Sequence, residues 1–272
     1  MSFWILILLS VIQGLTEFLP VSSSGHLVLL YNLFGIENNI KLLSILLHIA
    51  TLLSVLIYYR KEIIMLIKHP LCPTNRRIVV TTVFTCLVVL ILKPFIDKTF
   101  DGKWLFAFFL ITATLLFISD YLSERHGLMS RINNNRTNKY TSSQDILNLP
   151  INYKQAIIIG ITQGVACIPG ISRSGSTIAV ARMCGAEDTA RYSFLISIPI
   201  IVASFVMELF ETGGTLGATN ILGLVFAMVI CFFVGLFSIK VMTKLVESKG
   251  LTIFAYYLII LSTILVILSF IR

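Results

Sequence analysis

The sequence predicts an all-α polytopic membrane protein, and three observations carry that prediction. Of the 272 residues, 57% are apolar and only 12% are charged, and mean hydropathy is +0.93. A soluble domain carries about twice that share of charge, so the charged side chains here are too few to coat a water-facing globule. The apolar residues also fall in long runs rather than in alternating segments of about ten, which favours helices over a transmembrane barrel. Finally, Lys and Arg gather in alternate loops. The net charge of +8 therefore reads as a basic cytoplasmic face rather than as a nucleic-acid footprint. A soluble enzyme, a disordered chain and a nucleic-acid-binding module are all disfavoured.

In chain order, the first apolar stretch covers 3–31 and is interrupted by Gly, Pro, Ser and charge, so it reads as broken or re-entrant. It has no basic region before Phe3–Leu9 and no small-residue cleavage site after it, so a cleaved signal peptide is not expected. Full spans follow at 42–59, 78–92 and 104–120, the second of them short for the roughly 20 residues a crossing needs. Residues 123–154 form the one long polar stretch. Its Asn133–Asn134–Asn135 and Thr141–Ser142–Ser143 read as linker without chemistry. A second interrupted stretch, 155–185, precedes spans at 192–210, 221–239 and 251–271.

Segments 60–77, 121–154 and 240–250 hold thirteen Lys and Arg, against four (Lys41, Lys93, Lys98 and Lys103) in the alternate loops, which places the first set in the cytoplasm. The five cysteines form no CxxC pair and read as reduced, mostly buried thiols.

The two interrupted stretches are related. Residues 13–25 read QGLTEFLPVSSSG and residues 163–175 read QGVACIPGISRSG. At a constant offset of 150, Gln13, Gly14, Ser22, Ser24 and Gly25 find identical residues. The chain therefore divides into a first half at 1–122, the cytoplasmic linker at 123–154 and a second half at 155–272. Each half is one broken segment plus three spans. Three crossings invert the second half relative to the first, which is the pattern of an inverted-topology repeat whose broken segments meet near the bilayer midplane.

The chemistry is concentrated there. Glu17, His26 and Arg173 lie inside apolar segments, where an ionisable group costs about 2.5–3.5 kcal/mol on insertion scales and is functional by default. Both Gly/Ser turns feed a helix N-terminus, which suits an anion. Hydroxyls of Ser22, Ser23, Ser172, Ser174 and Thr177 add donors, and the Arg173 fork matches phosphate oxygens. Glu17 beside an anion site calls for a hard cation, Mg²⁺ or Ca²⁺, that takes carboxylate and phosphate oxygens together. Gln13, one turn earlier, offers an amide oxygen or a helix-to-helix hydrogen bond. Ser23 and His26, three residues apart, are candidates for nucleophile and base; His26 as nucleophile, or as the group that positions water, is equally compatible with the spacing. His48, inside a span, is either a packed core residue or a neighbour of the site. Asp97, Asp101, Glu187, Asp188, Glu208 and Glu211 read as solvated or interfacial charges.

The residues from Gln13 to His26 and Pro169-Gly-Ile-Ser-Arg173-Ser-Gly closely resemble the two signatures of the undecaprenyl-diphosphate phosphatase, or bacitracin-resistance, family. Tyr192-Ser-Phe-Leu-Ile-Ser-Ile-Pro199 resembles the segment that follows. The resemblance implies a plasma-membrane hydrolase that converts undecaprenyl diphosphate to the monophosphate carrier lipid of cell-wall synthesis, and so confers bacitracin resistance. It places the family's acid pair on Gln13 and Glu17, its serine and histidine on Ser23 and His26, and its phosphate-binding arginine on Arg173. It further implies divalent-cation dependence, a homodimer and a site open to the outer face.

Two other readings compete. A polyprenyl-phosphate transporter or flippase would use the same anion site and inverted repeat, but would not need Glu17, Ser23 and His26 together. A phosphatidic-acid-type phosphatase would need a His five or six residues after Arg173, where Ile178 and Ala179 stand.

Overall fold

The computed structural model describes residues 3–36, 40–125, 145–212, 221–248 and 250–271, and among them every regular element is a helix. The first half contains α1 (Phe3–Thr16), α2 (Ser23–Phe34), α3 (Ile40–Tyr58), α4 (Arg60–Lys68), α5 (Pro73–Thr99) and α6 (Leu105–Arg125). The second contains α7 (Tyr153–Val165), α8 (Arg173–Met183), α9 (Thr189–Thr212), α10 (Ile221–Ser248) and α11 (Thr252–Ile271). Five helices are long and apolar enough to cross a membrane, or six if α3 and the α4 helix bent from it by 78° count as one span. This is a multi-pass membrane protein. The residues Asn133–Asn135 and Thr141–Ser143 lie outside the described residues.

Span 78–92 is the largest revision in length. The helix runs for 27 residues, from Pro73 to Thr99. Its apolar stretch ends at Arg76 and Arg77 on one side and at Lys93 and Pro94 on the other, yet neither boundary stops the helix. Pro73 sits in the first turn, where its missing N–H costs nothing. Pro94 removes one interior bond and is carried within the helix. After the polar stretch, Asp145–Asn148 form a single 3₁₀ turn, and Ile146, Leu149 and Ile151 are buried. Thr74 Oγ1 accepts the Leu149 N–H at 2.9 Å, and Arg77 donates to the Leu149 carbonyl at 2.7 Å. This end of the linker is thus packed onto the start of α5.

Both interrupted stretches are broken helices. The chain leaves helix after Thr16 and re-enters at Ser23; in the second half it leaves after Val165 and re-enters at Arg173. The two halves exchange contacts. Helix α7 packs along α5, α1 packs along α10, and α3 packs against both α9 and α10. Small residues permit the close approach, as they do between membrane helices generally. A Cβ on Gly14 would stand 2.8 Å from the Cys231 carbonyl on α10, and one on Gly164 would stand 2.6 Å from Val88 on α5. Threonine hydroxyls reinforce the α5–α7 seam. Thr81 Oγ1 donates to the Ala156 carbonyl and Thr85 Oγ1 to the Gly160 carbonyl, both at 3.0 Å.

One buried ion pair ties the far end of α8 down. Arg182 donates to Asp120 Oδ1 at 3.0 Å and to the Val246 carbonyl at 2.6 Å. Asp120 Oδ2 accepts the backbone N–H groups of Leu251 and Thr252 and the Thr252 hydroxyl, which caps the start of α11.

Candidate active site

The two Gly/Ser turns are built alike. Ser22 is the N-cap of α2 and its Oγ accepts the Gly25 N–H at 3.3 Å. Ser172 is the N-cap of α8 and its Oγ accepts the Gly175 N–H at 3.1 Å. Each hydroxyl satisfies a donor that the first helical turn leaves open. The turns also touch directly: the Gly170 N–H donates to Ser22 Oγ at 3.1 Å. Thr112 on α6 locks the second turn from behind, donating to the Gly170 carbonyl and accepting the Ser172 N–H, both at 3.1 Å. The N-termini of α2 and α8 thus meet, with their free N–H groups and positive dipole ends gathered in one place.

Glu17 lies between the broken halves and is buried. Arg173 donates to Glu17 Oε1 through its guanidinium NH2. Oε2 accepts the Ser23 hydroxyl at 2.6 Å and the Gln13 amide at 2.9 Å, and stands 3.3 Å from His48 Nε2. The carboxylate from the first broken segment and the arginine from the second are therefore one ion pair, with Ser23 hydrogen-bonded to the same carboxylate.

This cluster lines a cleft of about 260 Å³. Its polar wall carries Glu17, Ser22, Ser23, Ser24, Ser172 and Arg173; Val89, Ile96, Phe100, Ile171, Ile200 and Ile201 supply apolar wall. Lys93 and Asp97 from α5 and His48 and Ser44 from α3 also line it. The arrangement pairs a polar floor suited to phosphate oxygens with an apolar flank suited to a lipid chain.

Not every expected residue joins it. His26 is outside the cleft lining. Its Nδ1 bonds the Ser22 carbonyl at 2.7 Å, and its Nε2 bonds the Tyr257 hydroxyl at 2.7 Å. Ser23 bonds Glu17, so the Ser23–His26 contact that the base reading of His26 needs is not formed; both ring nitrogens of His26 are taken by other partners. Ser174 and Thr177 are likewise engaged in the fold. Ser174 donates to the Leu19 carbonyl at 3.1 Å, and Thr177 bonds the Arg173 carbonyl at 2.8 Å and Ser193 at 2.5 Å.

Three residues gain a place that spacing alone did not give them. His48 is a neighbour of the site rather than a core residue, and Asp97 and Lys93 line the cleft rather than a solvated loop. Arriving from full spans, they share no local motif with the two turns. The side chains of Glu208 and Glu211 lie outside the described residues.

Oxygen donors that suit a cation include the Glu17 carboxylate and the amide of Gln13 bonded to it. The Gln13 Oε1 atom is buried without a hydrogen-bond partner. Among the described residues no three His, Cys, Asp or Glu side chains cluster as a metal cage. One carboxylate and one amide fit a hard divalent cation that draws its other ligands from phosphate and water, as Mg²⁺ commonly does.

The family model described as "Bacitracin resistance protein BacA" matches residues 6–264. A protein named undecaprenyl-diphosphatase from Carboxydothermus hydrogenoformans is 36% identical over 269 residues, covering 97% of this chain and 96% of its own length. One of the same name from Methanosphaera stadtmanae is 37% identical over 288 residues, with coverage of 97% and 96%. Another from Treponema denticola is 36% identical over 275 residues, with coverage of 95% and 94%. The chain belongs to the BacA family.

Proposed function

We propose that this BacA-family chain hydrolyses undecaprenyl diphosphate to undecaprenyl phosphate and inorganic phosphate, recycling a carrier lipid of cell-wall synthesis. The observation that carries the reading is Glu17, which holds Ser23 and Arg173 on one carboxylate at the junction of two helix N-termini. A carrier would need the anion donors but not a hydroxyl bound to a carboxylate, and nothing favours the carrier reading over the hydrolase.

In this mechanism the terminal phosphate enters the polar end of the cleft and displaces Glu17 as the partner of Arg173. The guanidinium fork and the N–H groups of the two turns take up its oxygens. Ser23 Oγ, already 2.6 Å from Glu17 Oε2, forms the new bond to phosphorus as the bond to the bridging oxygen breaks. Its proton passes to Glu17, and the lipid monophosphate departs with the electron pair. Water then cleaves the phosphoserine, which restores the Ser23 hydroxyl; inorganic phosphate leaves and one proton is released to solvent. A divalent cation, Mg²⁺ or Ca²⁺, would be held by Glu17 and Gln13 and would supply neutralising charge to the phosphate oxygens. Ser22 and Ser172 keep the two turns in register around the phosphate.

The same reading makes the halves an inverted repeat, with α1–α2 and α7–α8 re-entrant. The exchanged contacts of α1 on α10 and α7 on α5 support it. It also opens the site outward at a plasma membrane. The cleft is lined by Ser44 at the start of α3, Asp97 near the end of α5 and Met207 near the end of α9. These ends lie opposite the basic loops that the charge asymmetry places in the cytoplasm. A homodimer completes the reading; the mass of the purified protein in a lipid disc checks it.

The deciding experiment is phosphate release from undecaprenyl diphosphate by the purified chain in detergent, with Mg²⁺ and then with chelator, beside E17Q. Metal-dependent release that disappears in E17Q is the expected result. Tight lipid binding without release would replace the hydrolase with the carrier.

A further inference from the structure

His26 lies behind the reactive face, and its surroundings define a different task from proton transfer. The Ser22 carbonyl can only accept, so Nδ1 carries the proton in the 2.7 Å contact between them. In the neutral imidazole Nε2 is then the acceptor, and it takes the Tyr257 O–H at 2.7 Å. The two rings lie nearly parallel, 8° apart with centroids at 5.8 Å, and Phe109 packs on the imidazole edge-on at 5.4 Å. A nitrogen pair so occupied is not free to take a proton from Ser23.

The residue that His26 grips is unusual. Ser22 has φ 68° and ψ 92°, a region that is strained for a non-glycine residue and persists only where the surroundings over-determine it. Four bonds do so here. The Ser22 carbonyl accepts both Nδ1–H and the backbone N–H of His26, and the Ser22 hydroxyl accepts the N–H groups of Gly25 and Gly170. The next residue is Ser23, whose hydroxyl reaches Glu17 from this turn at 2.6 Å.

We propose that His26 and Tyr257 form a positioning pair, in which Tyr257 on the last helix fixes the imidazole and the imidazole fixes the strained Ser22 turn, so that Ser23 is aimed at Glu17. The inference rests on the hydrolase reading for its activity readout, and on hydrogen-bond geometry alone for its spectroscopic one. Tyr257 acts through His26 and does not line the cleft.

The test uses the full chain in detergent with undecaprenyl diphosphate and Mg²⁺. H26N keeps an N–H donor where Nδ1 stands but has no basic nitrogen; H26Q extends toward the Nε2 position and leaves the Ser22 carbonyl without its side-chain donor. H26A and H26Q are expected to lower kcat about a hundredfold, the scale of an ångström-sized misplacement, whereas H26N loses less than about tenfold. Y257F should lower kcat several-fold with KM unchanged, because Arg173 and the cleft walls are untouched. H26A/Y257F should be no worse than H26A alone, since the pair acts as one unit.

In ¹⁵N-histidine-labelled protein, His26 should show the Nδ1–H tautomer, and Y257F should shift its Nε2 resonance. H26N as inactive as H26A, together with Y257F at parental kcat, would overturn the proposal and return His26 to a proton-carrying role. An Nε2–H tautomer would overturn it independently of any turnover. Loss of the hydrolase reading would show instead as absent phosphate release from the parent chain, with the tautomer signature intact.

Discussion

The two turns that make the site share a backbone plan and divide the chemistry between them. At the offset of 150, Ser22 and Ser172 both cap helices and Gly14 and Gly164 both wedge against a span of the opposite half. Where the first turn has Glu17, Ser23 and His26, the second has Cys167, Arg173 and Ser176. One turn carries the carboxylate and its hydroxyl, and the other carries the arginine that pairs with that carboxylate. Their strain differs too. In the second turn Gly170 takes the positive φ of 97°, at no steric cost, and Ser172 is relaxed at −75°. In the first turn Ser22 takes it, beside the hydroxyl of Ser23. The two turns thus share their caps and wedges, and on the proposed mechanism the reactive groups stand on one and the binding groups on the other.

Breaking the reactive turn should have the largest effect. E17Q and S23A remove the proton acceptor and the nucleophile, and each is expected to lower kcat for phosphate release by about 10²–10⁴. S23A within a few-fold of the parent would assign the attack to water.

Breaking the binding turn comes next. R173A should cost about 10²–10³ in turnover, the scale of losing one preorganised charge-stabilising donor. R173K should recover little, because an ammonium cannot present the planar fork. Full activity in R173K would remove the bidentate argument and reduce Arg173 to a point charge.

The caps sharpen the comparison further. S172A should lower unfolding free energy by about 0.5–2 kcal/mol, as cap removal does elsewhere, and S22A should cost more because Ser22 Oγ also holds Gly170 across the turns. A thermal unfolding series of both variants reads the difference; equal losses would mean that the inter-turn bond adds nothing. The smallest effect belongs to Cys167, the residue in Glu17's place. Its thiol points back to the Gln163 carbonyl at 3.6 Å, so C167A should leave metal-dependent turnover close to parental.

Much of this was legible in the sequence where the signal is local. Gly, Pro and Ser break the apolar stretches at 17–22 and 166–172, and the capping serines stand just before the helices resume. Glu17 and Arg173 were legible because charge inside an apolar stretch requires a partner, and the repeat supplied one. The role of His26 was left open by the sequence for a physical reason. Three residues of separation place it near Ser23 along α2, but which way its ring turns depends on Tyr257, 231 residues away. His48 was ambiguous for the same reason: its partner arrives from another helix. The Asp120–Arg182 pair gave no warning at all, since each residue sits near the end of an apolar stretch and reads as a boundary, while the fold brings both inside. Helix α5 outran its apolar segment because charges at helix ends can reach the bilayer surface without ending the helix.

The exchanged seating of α1 and α7 has a consequence for how the protein is made. Helix α1 leaves the ribosome well before the surface that receives Gly14, which lies on α10 at Cys231 and Val234. Glu17 gains its arginine only when α8 is made, and α1 gains the neighbour on which it rests only when α10 is made. Domain-by-domain folding during synthesis, the usual course for longer chains, is therefore closed to this one. The first half must wait in the membrane with Glu17 lacking its arginine, and the site closes only once α8 and α10 have followed it.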